Sequence, residues 1–583
     1  MSVNSRNLLR YERSYSHMRK IAEDLRPPED YIEYSSDEAR GSILSHPYRS
    51  AFMRDRDNIL YHKAFFRLAL KTQVITFGKN DHARSRMTHT LEVVQIARTI
   101  SKMLGLDEDL TEAIALGHDI GHTPFGHVGE RTLNMLTNNC ERASVGYSLG
   151  EGERGFKHNL NSMRILAESK AKGFTNFTLF GIANHSKMSW GTNCKGWDAS
   201  GICPTPTTSR RECKNHGKTE VDYYDKYRKY YCIKGKDQVA WSLEAYVVCW
   251  ADEIAQRHHD IEDAITLNLI DIDALKTKIE EVYKLCNKYS SFLNDQVNEG
   301  AYEIIEKKWK LLEKTISQSS QSNKNVKDLL IDRFASFIVD AYVTYIVALF
   351  AQLTDILKKE YPFTDGKTGI VDRDDFEKRY CQLDPSHIQK IFTKFITRPW
   401  DGDMKNNESK AFEEMDTGLQ RTLMSIIINS GEVQRLDGKA SYVIRSLAKA
   451  YLTNPQQLPD KPIIEAFNCT ITKLNNDIEE LREKLALIKK TCDFDDSKEK
   501  IIQLEYEVSK KEKEKYELFK LTELPMDIEV NQLQPFQCRN ALTVIRSDAE
   551  AIKLLRVNIL RTTVHHIANM TDRYAMEEYS KLY

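Results

Sequence analysis

The stretch "EAIALGHDIGHTPFGHVGE", Glu112 to Glu130, holds three histidines and three acidic residues, in a chain of 583 residues with only 16 histidines. Imidazole and carboxylate are the two side chains that both ligate a divalent ion and carry protons near neutral pH. A lone His-Asp pair such as His118–Asp119 means little by itself. Its surroundings give it weight. "RSRMTHTLEV" sets His89 at the start of an amphipathic helix with Arg86 three residues upstream, and "SLEAYVVCWADEIAQRHHDIEDAI" sets Asp252 in an apolar context where an unpaired carboxylate is costly. His89, His118, Asp119 and Asp252 form a mixed nitrogen and oxygen set. It suits Mg, Mn or Fe better than a structural zinc, for which thiolates are usual.

The elements that must position these groups read as helices. "LTEAIALG" is a helical run that ends at His118 and Asp119, and Gly121 breaks it. Thr123 followed by Pro124 reads as a helix start, with Thr as cap and Pro where its missing N–H costs nothing. His127 and Glu130 then stand three apart near the positive end of that helix. There a carboxylate can orient an imidazole and favour its protonated form, and an anion such as phosphate could lie beside His122 and His127.

Helical periodicity dominates the whole chain, and alternating strand-like runs are scarce. The predicted fold is all-α: a helical core with a loop insertion and a helical hairpin insertion. The expected organisation is a helical extension over 1–42, a core over 43–464, a hairpin over 465–524 and C-terminal helices over 525–583 that return to the core. The loop insertion, 190–235, is rich in Cys, Lys and Tyr. In the hairpin, Ile471, Leu474, Ile478, Leu481, Leu485 and Ile488 follow coiled-coil spacing, and Ile501, Leu504 and Val508 resume it more weakly.

A net charge of −1 gives no bulk attraction to nucleic acid or anionic membranes. Eleven cysteines without a regular framework suit a reducing compartment, and the N-terminal stretch has no apolar segment of a secretory signal. The apolar run from Phe337 to Leu353 carries Asp340 and reads as a buried helix rather than a membrane span. The cytoplasm is the expected location. Within the insertion, Cys194, Cys203, Cys213, His216 and Cys232 match no standard zinc spacing, so free thiols are expected. "RRECKNHGK" and "YYDKYRKYY" mix basic residues with tyrosines, which suits either nucleic-acid contact or, more commonly, a solvated loop.

Taken in order, "RDRDNILYHKAFFRLALKTQV", "RSRMTHTLEV", "AIALGHDIGHTPFGHVGE", "GFKHNLNSMRIL", "ADEIAQRHHDIED", "YVIRSLAKAYLTNPQQLP" and "MTDRYAMEEYSKLY" resemble the HD-domain deoxynucleoside triphosphate triphosphohydrolases, in particular the bacterial dGTPase-like branch. The resemblance implies one divalent ion per subunit on His89, His118, Asp119 and Asp252. It gives Arg86 a grip on the triphosphate, and His122, His127, Glu130 and His158 a part in hydrolysis. Gln73 and Asp260 would read the deoxyribose 3′-hydroxyl. Two positions depart from the family: Gln256 stands where a tyrosine near the phosphates is usual, and Asn161 where a glutamine is common. Asp252, Gln256 and Asp260 share one helix stripe, the first and last roughly 12 Å apart along the axis at ~1.5 Å per residue. One helix could therefore serve both phosphates and sugar.

The implied partners are a dNTP substrate and further copies of the chain, as a hexamer or tetramer, with single-stranded DNA as an effector class and no membrane. Two rival readings are another HD phosphohydrolase, acting on a cyclic nucleotide or an alarmone, and a nucleic-acid-binding protein on the same fold. Gln73, His158 and Asp260 argue against the first, and the intact ligand set against the second.

Overall fold

The computed structural model describes residues 32–35, 48–73, 84–139, 149–150, 152–169, 173–185, 222–232, 240, 242–297, 300–318, 324–360, 407–491, 494–525, 532–544 and 550–583. The fold is all-α. The described residues form helices and no strand, with two isolated bridges, Tyr34 to Thr175 and Thr72 to Ser85. Cys194, Cys203, Cys213 and His216 lie outside the described residues, as does the 1–42 extension apart from 32–35.

The helices that bear on the site are, in chain order, α1 (Ala51–Leu60), α2 (Arg86–Leu104), α3 (Glu108–Gly117), α4 (Gly126–Thr137), α5 (His158–Ala167), α6 (Asn176–Asn184), α7 (Leu243–Thr266), α8 (Lys324–Glu360), α9 (Asn407–Ile428), α10 (Gly431–Thr453), α11 (Asp460–Thr491), α12 (Phe494–Thr522), α13 (Glu550–Ala568) and α14 (Asp572–Leu582). The chain divides into two compact units: Met1–His122 with His158–Trp190 and Lys226–Gly438, and Thr123–Lys157 with Gly191–Asp225 and Lys439–Tyr583.

In the first unit, side-chain caps fix the starts of the helices that carry the HD residues. Ser85 accepts from Thr88 N at 3.3 Å at the start of α2, Asp107 from Asp109 N at 3.0 Å at the start of α3, and Ser242 from Ala245 N at 3.3 Å at the start of α7. α2 ends on Gly105, whose φ of 71° is the left-handed region that glycine tolerates best. α7 lies along α2 and α3, and α1 packs on α3. Val93, Ala97, Ile100, Ala113, Ile114, Val247, Ala251 and Ile254 are buried there.

Asp328–Gln352 of α8 is long and apolar enough to cross a membrane, but 72% of its most apolar window is buried within the protein. Phe334, Phe337, Ile338, Tyr342, Tyr345 and Ile346 face the interior, so it is a core helix, as expected. A buried ion pair ties α7 to α9: Arg257 donates to Asp416 through Nε at 2.8 Å and Nη2 at 3.0 Å, and Tyr342 adds its hydroxyl to Asp416 Oδ1 at 2.9 Å.

In the second unit, Val443, Leu447, Tyr451, Phe467, Ile471, Leu518, Ile559 and Val564 share one core with Leu133, Leu136 and Phe156. α11 and α12 pair as an antiparallel hairpin, bridged by Lys489 to Glu505 at 2.7 Å and by Arg482 to Glu512. Ile471, Leu474 and Ile478 are buried, whereas Leu481, Leu485 and Ile488 are half-buried, because two helices alone cover only one side of a seam.

The tyrosines of "YYDKYRKYY" differ from the solvated-loop and base-stacking expectations. Tyr223, Tyr224 and Tyr227 are buried. Arg561 lies over the Tyr223 ring at 3.7 Å, and in the first unit Tyr227 donates its hydroxyl to Glu168.

Candidate metal centre

His118 is the C-terminal cap of α3, and its Nδ1 lies 2.7 Å from the Ala115 carbonyl. An imidazole held this way donates from Nδ1 and turns a bare Nε2 lone pair outward, the tautomer that ligates metals. That Nε2 is buried without a hydrogen-bond partner. It lies 3.7 Å from Asp119 Oδ2 and 3.9 Å from Asp252 Oδ1. His89 Nε2 on α2 meets Asp252 Oδ1 on α7 at 2.9 Å. His89, His118 and Asp119 bring ligand atoms within 4.8 Å of one another, and so do His118, His185 and Asp252. Three helices thus converge on the residues expected to hold an ion, and two imidazoles with two carboxylates fit a divalent cation of the Mg, Mn or Fe type.

Electrostatics keep this set in ligating form. Burial pushes Asp119 upward, but the Arg86 guanidinium foremost, then His118, His122 and His158, hold its carboxyl well below the usual range. At Asp252, burial is likewise outweighed, here by the hydrogen bond from His89 and the neighbouring imidazoles. Arg86, expected to face phosphate, is itself buried; its Nη1 donates to Asp119 Oδ2 and its Nη2 to the Gln73 carbonyl at 3.5 Å.

The turn after the HD pair is clamped to α5. Ser162 Oγ accepts from Gly121 N at 2.9 Å and donates to the His118 carbonyl at 2.8 Å. Asn161 Nδ2 donates to the Gly121 carbonyl at 2.8 Å, so this departure from the family serves the turn. A Cβ on Gly121 would stand 2.2 Å from Ser162 N, which explains the glycine. His122 and His158 stack with ring centroids 4.5 Å apart, and His158 Nε2 lies 3.7 Å from Asp119 Oδ1.

In the second unit, α4 starts later than expected. Thr123 is not its cap. The helix begins at Gly126, with Phe125 at the cap position in the left-handed region, φ 60°. Thr123 donates its hydroxyl to the Gly126 carbonyl at 2.9 Å, and Phe125 N donates to Asp572 at 2.8 Å. A bulky residue at positive φ is strained, and the buried Asp572 carboxylate helps hold it. His127 is exposed and Glu130 buried, with ligand atoms within 4.8 Å of each other. Glu130 also accepts from Lys157 Nζ at 2.9 Å, and this carboxylate raises the Lys157 ammonium.

On α7, Asp260 is buried with both carboxylate oxygens lacking a hydrogen-bond partner, and burial lifts it to about 7. Gln73 leaves Oε1 buried in the same condition. Gln256 is half-buried.

Sequence reasoning missed two features. His185 caps α6, its Nδ1 2.8 Å from the Ile182 carbonyl, and burial lowers it to about 3. Nothing in "GIANHSK" marks it, since no spacing links it to the HD pair. Glu92 is held by His258 and by His259, the latter at 2.5 Å, and the His259 ring lies 5.0 Å from that of His89. The neighbouring histidines of "RHHD" were the available sign.

Residues 86–257 match the HD domain family. Over 255 residues, 41% of this chain, the sequence is 40% identical to the deoxyguanosinetriphosphate triphosphohydrolase-like protein of Bradyrhizobium diazoefficiens, covering 55% of that protein. It is 38% identical over 266 residues to the protein of that description from Nitrobacter hamburgensis, covering 56% of it, and 38% over 242 residues to that from Clostridium tetani, covering 53%. The chain thus spans about half the length of the curated relatives it matches. The HD match over 86–257, the converging His/Asp side chains and the partial matches point the same way: this chain is similar, over part of its length, to the dGTPase-like proteins.

Proposed function

We propose that this protein is a dNTP triphosphohydrolase, cleaving dGTP and other dNTPs to deoxynucleoside and inorganic triphosphate. The observation that carries the reading is the meeting of His89, His118, Asp119 and Asp252 around the unpartnered Nε2 of His118. The names of the relatives support the substrate class.

In this reaction a water oxygen bonds to the α-phosphorus while the bond from that phosphorus to the sugar 5′-oxygen breaks. Water loses a proton and the 5′-oxygen gains one. A divalent ion on His89, His118, Asp119 and Asp252 would neutralise charge at that phosphate. Arg86 fixes Asp119 and adds positive charge behind it. His122 and His158 are the imidazoles next to Asp119 that would contact the phosphates. His127 with Glu130 is the proposed proton carrier for the 5′-oxygen. The bare acceptors of Asp260 and Gln73 suit a hydroxyl that brings its own hydrogen, as the 3′-hydroxyl would.

The protein would act in the cytoplasm as a hexamer or tetramer, with single-stranded DNA as a candidate effector. Incubation with each dNTP and Mg or Mn, alongside Asp119→Ala, tests the reading. Ion-exchange chromatography should resolve triphosphate and deoxynucleoside from the wild type alone. Release of pyrophosphate or orthophosphate, or no turnover even with mixed dNTPs and single-stranded DNA, would overturn it.

A further inference from the structure

Outside the candidate centre, α2 and α7 bring a second group of metal-binding side chains together. Glu92 stands three residues after His89 on α2, and His258 and His259 follow Asp252 by six and seven residues on α7. Each imidazole takes a different oxygen of one carboxylate: His258 Nδ1 meets Glu92 Oε1, and His259 Nε2 meets Glu92 Oε2 at 2.5 Å. The three residues place one ligand atom each within 4.8 Å of the others. None of the three belongs to the set around His118.

The charges around this group suit a cation. Arg84 Nη2 pairs with Glu262 Oε2, while Arg84 Nη1 stays 4.0 Å from Glu92 Oε2. Glu262 thus balances the guanidinium and leaves the charge of Glu92 to whatever sits between the imidazoles. Glu262 Oε2 also lies 3.9 Å from His258 Nε2, the nitrogen turned away from Glu92. That is the side on which an outer carboxylate orients a metal-bound histidine. The Glu92 and His258 side chains are 23% and 20% exposed, so an ion can enter from solvent, whereas His259 is buried.

We propose that Glu92, His258 and His259 bind a divalent ion of the zinc type, separate from the ion proposed on His89, His118, Asp119 and Asp252. This inference goes beyond the proposed function and does not rest on it. Two imidazoles and one carboxylate form a recurrent zinc ligand set that leaves a fourth position open to water. The ion would tie α2 to α7 beside the His89–Asp252 contact, since the His259 ring lies 5.0 Å from that of His89. It would therefore brace the helix pair that carries two of the candidate metal residues.

The experiment is equilibrium zinc binding to the full chain, read as bound zinc per chain and as the zinc-dependent rise in Tm. Wild type is compared with His258→Asn, Glu92→Gln and Asp119→Ala, each checked for helical content by circular dichroism. His258→Asn and Glu92→Gln should each bind one zinc fewer than wild type and show a smaller rise in Tm. Asp119→Ala should keep the zinc that those two variants lose. Zinc stoichiometry in His258→Asn and Glu92→Gln equal to that of wild type would overturn the site and leave an ion-pair cluster. Loss of all zinc in Asp119→Ala, with its helical content intact, would likewise overturn it, because the ion would then belong to the HD residues. A wild type that binds no zinc would overturn it whatever the variants do.

Discussion

His89 Nε2 and Asp252 Oδ1 meet at 2.9 Å although 163 residues separate them. The contact joins the start of α2 to the middle of α7, and both partners belong to the set proposed to hold an ion. Each partner is expected to be needed for affinity.

Asp252→Ala should abolish turnover, by 10³-fold or more, and remove metal-dependent stabilisation. For the wild type, a divalent ion at 100 times its Kd adds about 2.7 kcal/mol of stability. Thermal unfolding with and without Mn measures this. An unchanged Mn-dependent rise in Tm in Asp252→Ala would reject Asp252 as a ligand.

The second prediction concerns support of α7. Arg257 is 1% exposed and meets Asp416 through two hydrogen bonds, so removing Asp416 leaves the buried guanidinium with only the half-exposed Glu253 carboxylate at 2.9 Å as charged partner. Asp416→Ala should cost about 3–5 kcal/mol, and Tyr342→Phe about 1–2 kcal/mol. Urea unfolding of each variant provides the numbers. A cost for Asp416→Ala no greater than that for Tyr342→Phe would contradict the buried-pair account.

Gly121→Ala should destabilise by about 1–3 kcal/mol and lower activity at least tenfold. The added methyl would press on the Ser162 amide at 2.2 Å and the His158 carbonyl at 2.6 Å, so α5 must shift and carry His158 with it. Gly150→Ala, with nothing within 4 Å of the new carbon, is the control and should stay within about 0.5 kcal/mol. Equal behaviour of the two variants would sink this explanation.

A pH dependence follows from Asp55, which burial raises from 3.8 to about 7 against the opposing hydrogen bonds of Thr175 and Thr178. The folded state favours its neutral form, so its contribution is fully present below pH 3.8 and is lost as pH rises toward 7. Above that, ionised Asp55 costs on the order of 4 kcal/mol at ~1.36 kcal/mol per pH unit. Asp55→Asn removes the titration, so its Tm relative to wild type should climb from about pH 4 to about pH 7 and level off above that. Parallel Tm curves for the two proteins would refute the assignment.

The sequence by itself determined the helical class and the hairpin and singled out the candidate metal residues, because each is written in local terms. Apolar residues three and four apart define helices and the seam of α11 and α12. The types of His89, His118, Asp119 and Asp252 limit what they can bind. What only the tertiary structure decided are relations between distant side chains. Arg86 is buried on Asp119, Tyr223 lies beneath Arg561, and Phe125 takes a left-handed backbone held by Asp572, which moves the start of α4 to Gly126. His185 has no neighbour in sequence that announces it. Its place beside the HD pair emerges only when the ends of α3 and α6 bring two identically capped imidazoles within 5.0 Å. Local periodicity fixes which residues face inward, but which of them meet depends on how helices cross.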